Sequence, residues 1–416
     1  MIERYPFPLT RRNQLLFGAF LLAMLYLTRD SMPCMTFLGF YTSQFLAIGI
    51  MGLLCVAFLA ANRRNLKKVF TDSRVILAVV FAAIFLLPML VKRDWQLMYF
   101  TVLIGILLAV FLSYFVSLRT AAKYYVVVLT GLAVYSMVAH LLLRPIAEAG
   151  ILSPRVVTNS LGLEFLDYGL AFPTLCVDTK SRNYGLFREP GIYQFFLLMG
   201  LYLNNYRVDW EKKQSVWVVN VILAAAMLTT LATGGVIEMG LLAIVLFLDK
   251  KWYREKPGRI AAVACIAGGV VLLAVLYIMD SPVFRQLYLM VAKIFAGEDS
   301  VTDRLGSIAS NTAFFFAHPV FGGRIAQVLF AVENNTSSST ALFAIFGILG
   351  GMVHALSYAA LVWDKDRCIV WNLALLVILL MSFNTENMIA NPFLWMFSIM
   401  ALTERVLPVM DAWRRK

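Results

Sequence analysis

Apolar residues fall in blocks of about twenty, separated by short polar clusters, with neither strict alternation nor a narrow helical stripe inside the blocks. A block of this length is what a helix needs to cross a bilayer. Twelve such blocks are expected, at roughly 14–29, 42–61, 73–91, 97–117, 123–143, 191–206, 215–233, 235–249, 259–279, 338–361, 368–384 and 393–408. Thr233-Gly234-Gly235 separates two of them so briefly that a tight helical hairpin is expected there. The expectation is an all-α polytopic membrane protein, a single domain over 1–416. Two long loops interrupt it, at 144–190 and 280–337, the second carrying an amphipathic helix. Loops this long are usually functional.

Composition narrows the class. The 416 residues are 61% hydrophobic and only 14% charged, too few charges to cover a soluble globule of this size. The formal charge of +12 reads as topology, not as a nucleic-acid footprint. With the N-terminus inside, 24 of the 36 basic residues lie on inner segments, and the two long loops lie outside. Both termini are then cytoplasmic and the loops carry a near-neutral charge balance. Arg11 and Arg12 precede an apolar run without a small-residue cleavage site, so the first span is expected to stay as an anchor. The five cysteines stand more than twenty residues apart, which offers no metal pattern; Cys34 and Cys176 are the pair that an outer disulfide would join.

Chemistry concentrates in the loops. The first ends in Arg182-Asn183-Tyr184-Gly185-Leu186-Phe187-Arg188-Glu189-Pro190-Gly191. Pro190 suits the first turn of a helix. Arg188 beside that positively polarised N-terminus makes a seat for phosphate. The plainer alternative pairs Arg182 and Arg188 with lipid headgroups, or with Asp178 and Glu189. In the second loop, Ser300 and Asp303 resemble a capping box, and Leu305, Ile308, Ala309, Thr312 and Phe316 follow at helical spacing up to Pro319. Arg304, Asn311 and His318 are seven apart, a polar stripe expected to face a cavity. His318 either serves as a base or simply ends the helix. Arg324 follows Gly322-Gly323, where backbone can approach a ligand. Glu333-Asn334-Asn335-Thr336-Ser337 opens the next helix with groups that either bind sugar hydroxyls or cap the helix. Glu238 lies inside a span, and Asn384, Glu386, Asn387 and Asn391 cluster before the last one. His140 and His354 lie within spans and are expected to bond to neighbouring helices.

These phrases, in this order, resemble the bacterial O-antigen polymerase/ligase superfamily, which includes the capsular polysaccharide polymerases. "GLFREPG" is similar to its G-x-F-x-E-P-s phrase, and "DRLGSIASNTAFFFAHPVFGGR" to its R…hP-x-x-G-x-G signature. "ENNTSSSTALFAIFGILGG" and "FNTENMIANPFLWM" resemble the helix and closing turn that follow, while "TLATGGV" stands where many members carry T-x-S-R-G-G. The resemblance covers about 180–400. Two departures matter: no arginine stands in the Thr233-Gly234-Gly235 phrase, and Glu333 or Asn334 replaces the loop histidine on which the ligase branch is thought to depend.

The resemblance implies a membrane glycosyltransferase C-like fold in the bacterial cytoplasmic (inner) membrane, with its active face outside. It implies a metal-independent, inverting oligosaccharide repeat-unit polymerase that needs no cofactor. Its substrate would be an undecaprenyl-diphosphate-linked oligosaccharide, its product O-antigen, capsule or exopolysaccharide, and its partners membrane lipids and a chain-length regulator, with no nucleic acid. On this reading Arg182, Arg188, Arg304 and Arg324 bind the diphosphate, Glu189 or His318 is the base, and Asn334, Asn335, Thr336 and Glu386 contact sugar. The rival functions are a ligase moving finished polymer to an acceptor, a polysaccharide or lipid transporter, and a non-enzymatic partner of cell-wall synthesis.

Overall fold

The computed structural model describes residues 10–28, 30–32, 40–63, 69, 71–158, 163–169, 172–176, 182–256, 299–332, 335–384 and 386–414, with scattered positions between 259 and 288. The span expected at 259–279, and with it Cys34, Asp178, Glu333 and Asn334, falls largely or wholly outside them.

Each apolar block within the described residues is a helix. In chain order these are α1 (Arg11–Leu27), α2 (Phe40–Ala61), α3 (Ser73–Lys92), α4 (Leu97–Leu112), α5 (Leu118–Val138), a π-helical turn at Ala139–Leu143, and α6 (Arg144–Glu148). After the first loop come α7 (Pro190–Tyr206), α8 (Lys213–Thr229) and α9 (Thr233–Asp249). The last group is α10 (Asp299–Ala317), α11 (Ile325–Leu329), α12 (Ser338–Val362), α13 (Ile369–Ser382) and α14 (Pro392–Arg414). Among the described residues four stretches are long and apolar enough to cross a membrane: α3, the continuous α5-to-α6 rod, α12 and α14. Leu53, Val79 and Val221 are at least 60% exposed, so the bundle turns apolar side chains outward as lipid-facing helices do.

The first loop corrects the all-helical expectation. It holds a three-stranded antiparallel sheet, β1 (Arg155–Thr158), β2 (Glu164–Asp167) and β3 (Pro173–Leu175), in that spatial order. Tyr168 and Phe172 fold back onto Ala139 in the π-turn, which ties the sheet to the end of α5. Cys176, just past β3, is a free thiol.

α7 is buried around its whole circumference, as a helix without a polar face must be. It packs on α5, α8 and α9, while α14 packs on α4 and α12. Gln194 of α7 accepts a hydrogen bond from the Gly235 N–H (2.6 Å). Thr233-Gly234-Gly235, the first turn of α9, therefore serves close contact between α7 and α9, and residues 230–232 join α8 to α9 as a short helix–helix connection.

α12 is broken at Gly347, whose φ of +67° and ψ of −165° leave helical space. The freed backbone groups find partners outside the helix, as buried polar backbone requires. Ala344 O accepts from Gly323 N (2.7 Å) and Ile348 N donates to Pro319 O (2.8 Å). Lys92, at the end of α3, donates to both Ile345 O (2.6 Å) and Gly323 O (2.7 Å). A side chain on Gly322 would strike the Ile345 backbone, and one on Gly347 would strike Val320. The glycines before Arg324 thus admit a neighbouring helix to the backbone, in place of the ligand expected there.

Candidate functional site

A turn and a distant strand-like segment build the site. Asn183 holds the turn into α7: its amide donates to Ser136 Oγ (3.2 Å) and Thr229 Oγ1 (2.8 Å), and its Oδ1 accepts from Gly185 N (2.9 Å). Gly185 takes a φ of +59° with the Tyr193 ring pressed against it, a position closed to any side chain. Residues 30–32 then pair along 186–188, through Met32 N to Leu186 O (2.9 Å) and Arg188 N to Asp30 O (3.1 Å). Pro190 opens α7, as its place in the sequence predicts, and Glu189 is the N-cap residue.

Four charged side chains meet here. Arg188 pairs with Glu189 and reaches Asp30 Oδ1 at 3.5 Å. Asp30 is buried, and its other oxygen accepts from Asn391 Nδ2 (2.9 Å). Glu386 arrives from the turn between α13 and α14, anchored by Ser338 Oγ on its carbonyl (2.6 Å), and its carboxyl hydrogen-bonds that of Glu189. Arg304, on α10, lies within electrostatic reach of Glu386 and of Glu238 on α9. Glu238 is buried with its Oε2 unpartnered. Residues from both ends of the chain and both long loops thus converge where α7, α9 and α12 begin.

The electrostatics of this cluster are uneven. Burial, followed by the neighbouring Glu189 carboxyl and its hydrogen bond, pushes Glu386 well above the usual carboxylate range; Arg188 and Arg304 oppose the shift without cancelling it. Burial works to lower the Arg188 pKa, but Glu189, Asp30 and Glu386 outweigh it and the guanidinium is held charged. The result is a protonated Glu386 carboxyl set against the Arg188–Glu189 ion pair, an arrangement fit for both anion binding and proton transfer.

Gly191 makes room for it. A Cβ there would stand 2.8 Å from Glu386 Oε1. Gly191→Ala should therefore displace the carboxyl tip while leaving the backbone in place. A shift of about 1 Å costs up to about a hundredfold in rate. The expected outcome is a ten- to hundredfold loss of activity, roughly, at an almost unchanged melting temperature, read by assay and thermal unfolding of the same preparation.

The other sequence candidates have other neighbours. Arg182 rests on the Tyr184 ring, 5.7 Å from its centroid, with an Nη2 to hydroxyl distance of 3.4 Å. Arg324 is exposed and N-caps the short α11 beside Asp94, which accepts from Ile325 N (2.8 Å). His318 is exposed just past the last residue of α10, fourteen residues and so roughly 20 Å from Arg304 along the axis. The polar stripe also turns the other way. Asn311 and Ser307 are fully buried, whereas Leu305 and Phe316 are 62% and 73% exposed.

Asn311 and Asn335 form a reciprocal amide pair (3.1 and 2.8 Å), and Ser307 Oγ accepts from Thr336 N (3.3 Å). Asn335 and the Thr336 backbone latch α10 to the start of α12, while the Thr336 hydroxyl is buried without a partner. Ser300 is already inside α10, so the Ser300–Asp303 phrase is not its cap. His354 contacts Ser339 Oγ on its own helix (3.2 Å) and packs among Tyr358, Phe383 and Trp395, while His140 Nδ1 has no partner. Asp30 and Glu238 were not among the sequence candidates for the site. Glu238 had already signalled itself as a carboxylate inside an apolar run; Asp30 had no signal beyond an acidic residue at the end of one.

A scan against protein-family models finds no match to this chain, and a search of curated proteins finds none either.

Proposed function

We propose that the chain is a membrane-embedded glycosyl transferase that polymerises lipid-linked oligosaccharide repeat units at the outer face of a bacterial cytoplasmic membrane. The observation that supports this most is the meeting of Arg188, Glu189 and Glu386 at the N-terminus of α7, with Arg304 within electrostatic reach. These are four of the residues on which the resemblance to O-antigen and capsule polymerases rests. In the proposed topology twelve spans keep both termini inside, and the cluster faces out.

At rest Arg188 is neutralised by Asp30 and Glu189. An arriving diphosphate takes the place of Glu189 on Arg188, since paired anionic oxygens match the guanidinium fork. Arg304 binds the same group. Glu189 is thereby freed as a base. It removes the proton from an acceptor hydroxyl as that oxygen bonds to the anomeric carbon of the donor. The carbon–oxygen bond to the diphosphate breaks on the opposite side, its charge taken up by the two arginines and the helix N-terminus. Displacement at one carbon inverts it. Glu386, held protonated, keeps its hydrogen bond to Glu189 and sets that carboxyl's position.

The test is deletion of the gene followed by analysis of lipid-linked glycans. The polymerase reading expects single repeat units and no polymer. Accumulated long lipid-linked polymer would replace it with a ligase, and repeat units trapped at the inner leaflet with a transporter.

A further inference from the structure

At the opposite end of α5 a groove of about 450 Å³ opens between the first turns of α1 and α5. Its mouth is polar. Gln14, Arg119, Thr120 and Lys123 line it, with Asp209 across from Arg119. Its inner wall is apolar, formed by Tyr124 and Val127. Tyr124 is fixed edge-on against Phe17 of α1 (5.9 Å between centroids). Beyond the groove the same two helices stay exposed and apolar at Leu22 and Val134. Polarity therefore falls along the groove, from charged to hydrocarbon, over about two helical turns.

Arg119 is poorly committed. Its one ion pair among the described residues, to Asp209, joins side chains 74% and 77% exposed, and such pairs contribute little. Lys123 stands over the Trp210 ring at 5.7 Å, the kind of aromatic platform found at membrane interfaces. Arg11, exposed and one turn before Gln14 on α1, adds positive charge at the mouth. We infer that this groove binds an anionic phospholipid, with the phosphate between Arg119 and Lys123 and an acyl chain along Tyr124 and Val127. A free phosphate would use the mouth alone; the apolar wall that continues it argues for a lipid. The site is remote from the Arg188–Glu386 cluster and stands whether or not that cluster is catalytic.

Titration of phosphatidylglycerol into the full-length protein in a neutral detergent tests this. Arg119→Ala/Lys123→Ala should weaken binding about thirtyfold, with phosphatidylcholine binding weakly to both proteins. Asp209→Asn should tighten phosphatidylglycerol binding, because it removes the internal competitor for Arg119. All three positions lie at the groove mouth, where the fold does not depend on them, and the gain from Asp209→Asn cannot arise from misfolding. Unchanged affinity in the double variant would overturn the site. So would full displacement of the lipid by equimolar inorganic phosphate, which would make the ligand a free anion.

Discussion

Arg188→Ala should abolish polymer and destabilise the protein at once, and the two effects can be separated. Asp30 is 2% exposed and, among the described residues, keeps Asn391 as its side-chain partner once the guanidinium is gone. Removing one partner of a buried ion pair costs about 3–5 kcal/mol, because the other charge is left uncompensated. Losing a phosphate clamp in a low-dielectric site costs roughly another hundredfold in rate. Adding Asp30→Asn to Arg188→Ala removes the stranded charge. The double variant should recover most of the melting temperature and none of the polymer. Recovery of both would make Arg188 a structural residue only. Arg188→Lys should not substitute, since one ammonium cannot present the fork that spans Asp30 and Glu189.

Glu189→Gln and Glu386→Gln should part company. Glu189→Gln removes the proposed base and should lower polymerisation by about 10²–10⁴-fold, the usual range for such a group. Glu386→Gln imitates a carboxyl that the fold already holds protonated, so its activity should stay within about tenfold of the parent on that account. Its stability has a definite pH dependence. A carboxyl whose folded pKa is raised contributes stability that is fully present below its unfolded value near 4.5 and is lost as pH climbs through the folded pKa. The parent should therefore lose stability as pH rises across that window, while Glu386→Gln does not. Melting curves at pH 4 and pH 8 check this: little difference at pH 4, and a higher melting temperature for Glu386→Gln at pH 8. Parallel curves would mean that Glu386 is ionised in the native state.

Much of the site could be read from the chain because its cues are local. Glu189-Pro190 marks a helix start by the chemistry of proline, and Glu386 stands in a short polar cluster between two apolar spans. What could not be read depends on pairing between distant segments. Asp30 belongs to the site only because residues 30–32 lie along 186–188, and nothing near Asp30 announces that partner. The heptad spacing of Arg304, Asn311 and His318 suggested one face. An α-helix drifts by about 20° per heptad, and α10 ends at Ala317 before the third of them. Gly322-Gly323 correctly signalled a close backbone approach, but sequence does not say to what, and the answer is the break in α12. The β1–β3 sheet escaped because strands of three or four residues carry too little alternation to stand out.

The central claim is that α10 delivers Arg304, and not His318, to the chemistry at the start of α7. Its most direct test is the polymer ladder made by Arg304→Ala and His318→Ala in a strain lacking its own copy. The expected result is no ladder from Arg304→Ala, with normal expression and single repeat units still transferred, and a full ladder from His318→Ala. A full ladder from Arg304→Ala, or its loss in His318→Ala at normal expression, would contradict the account.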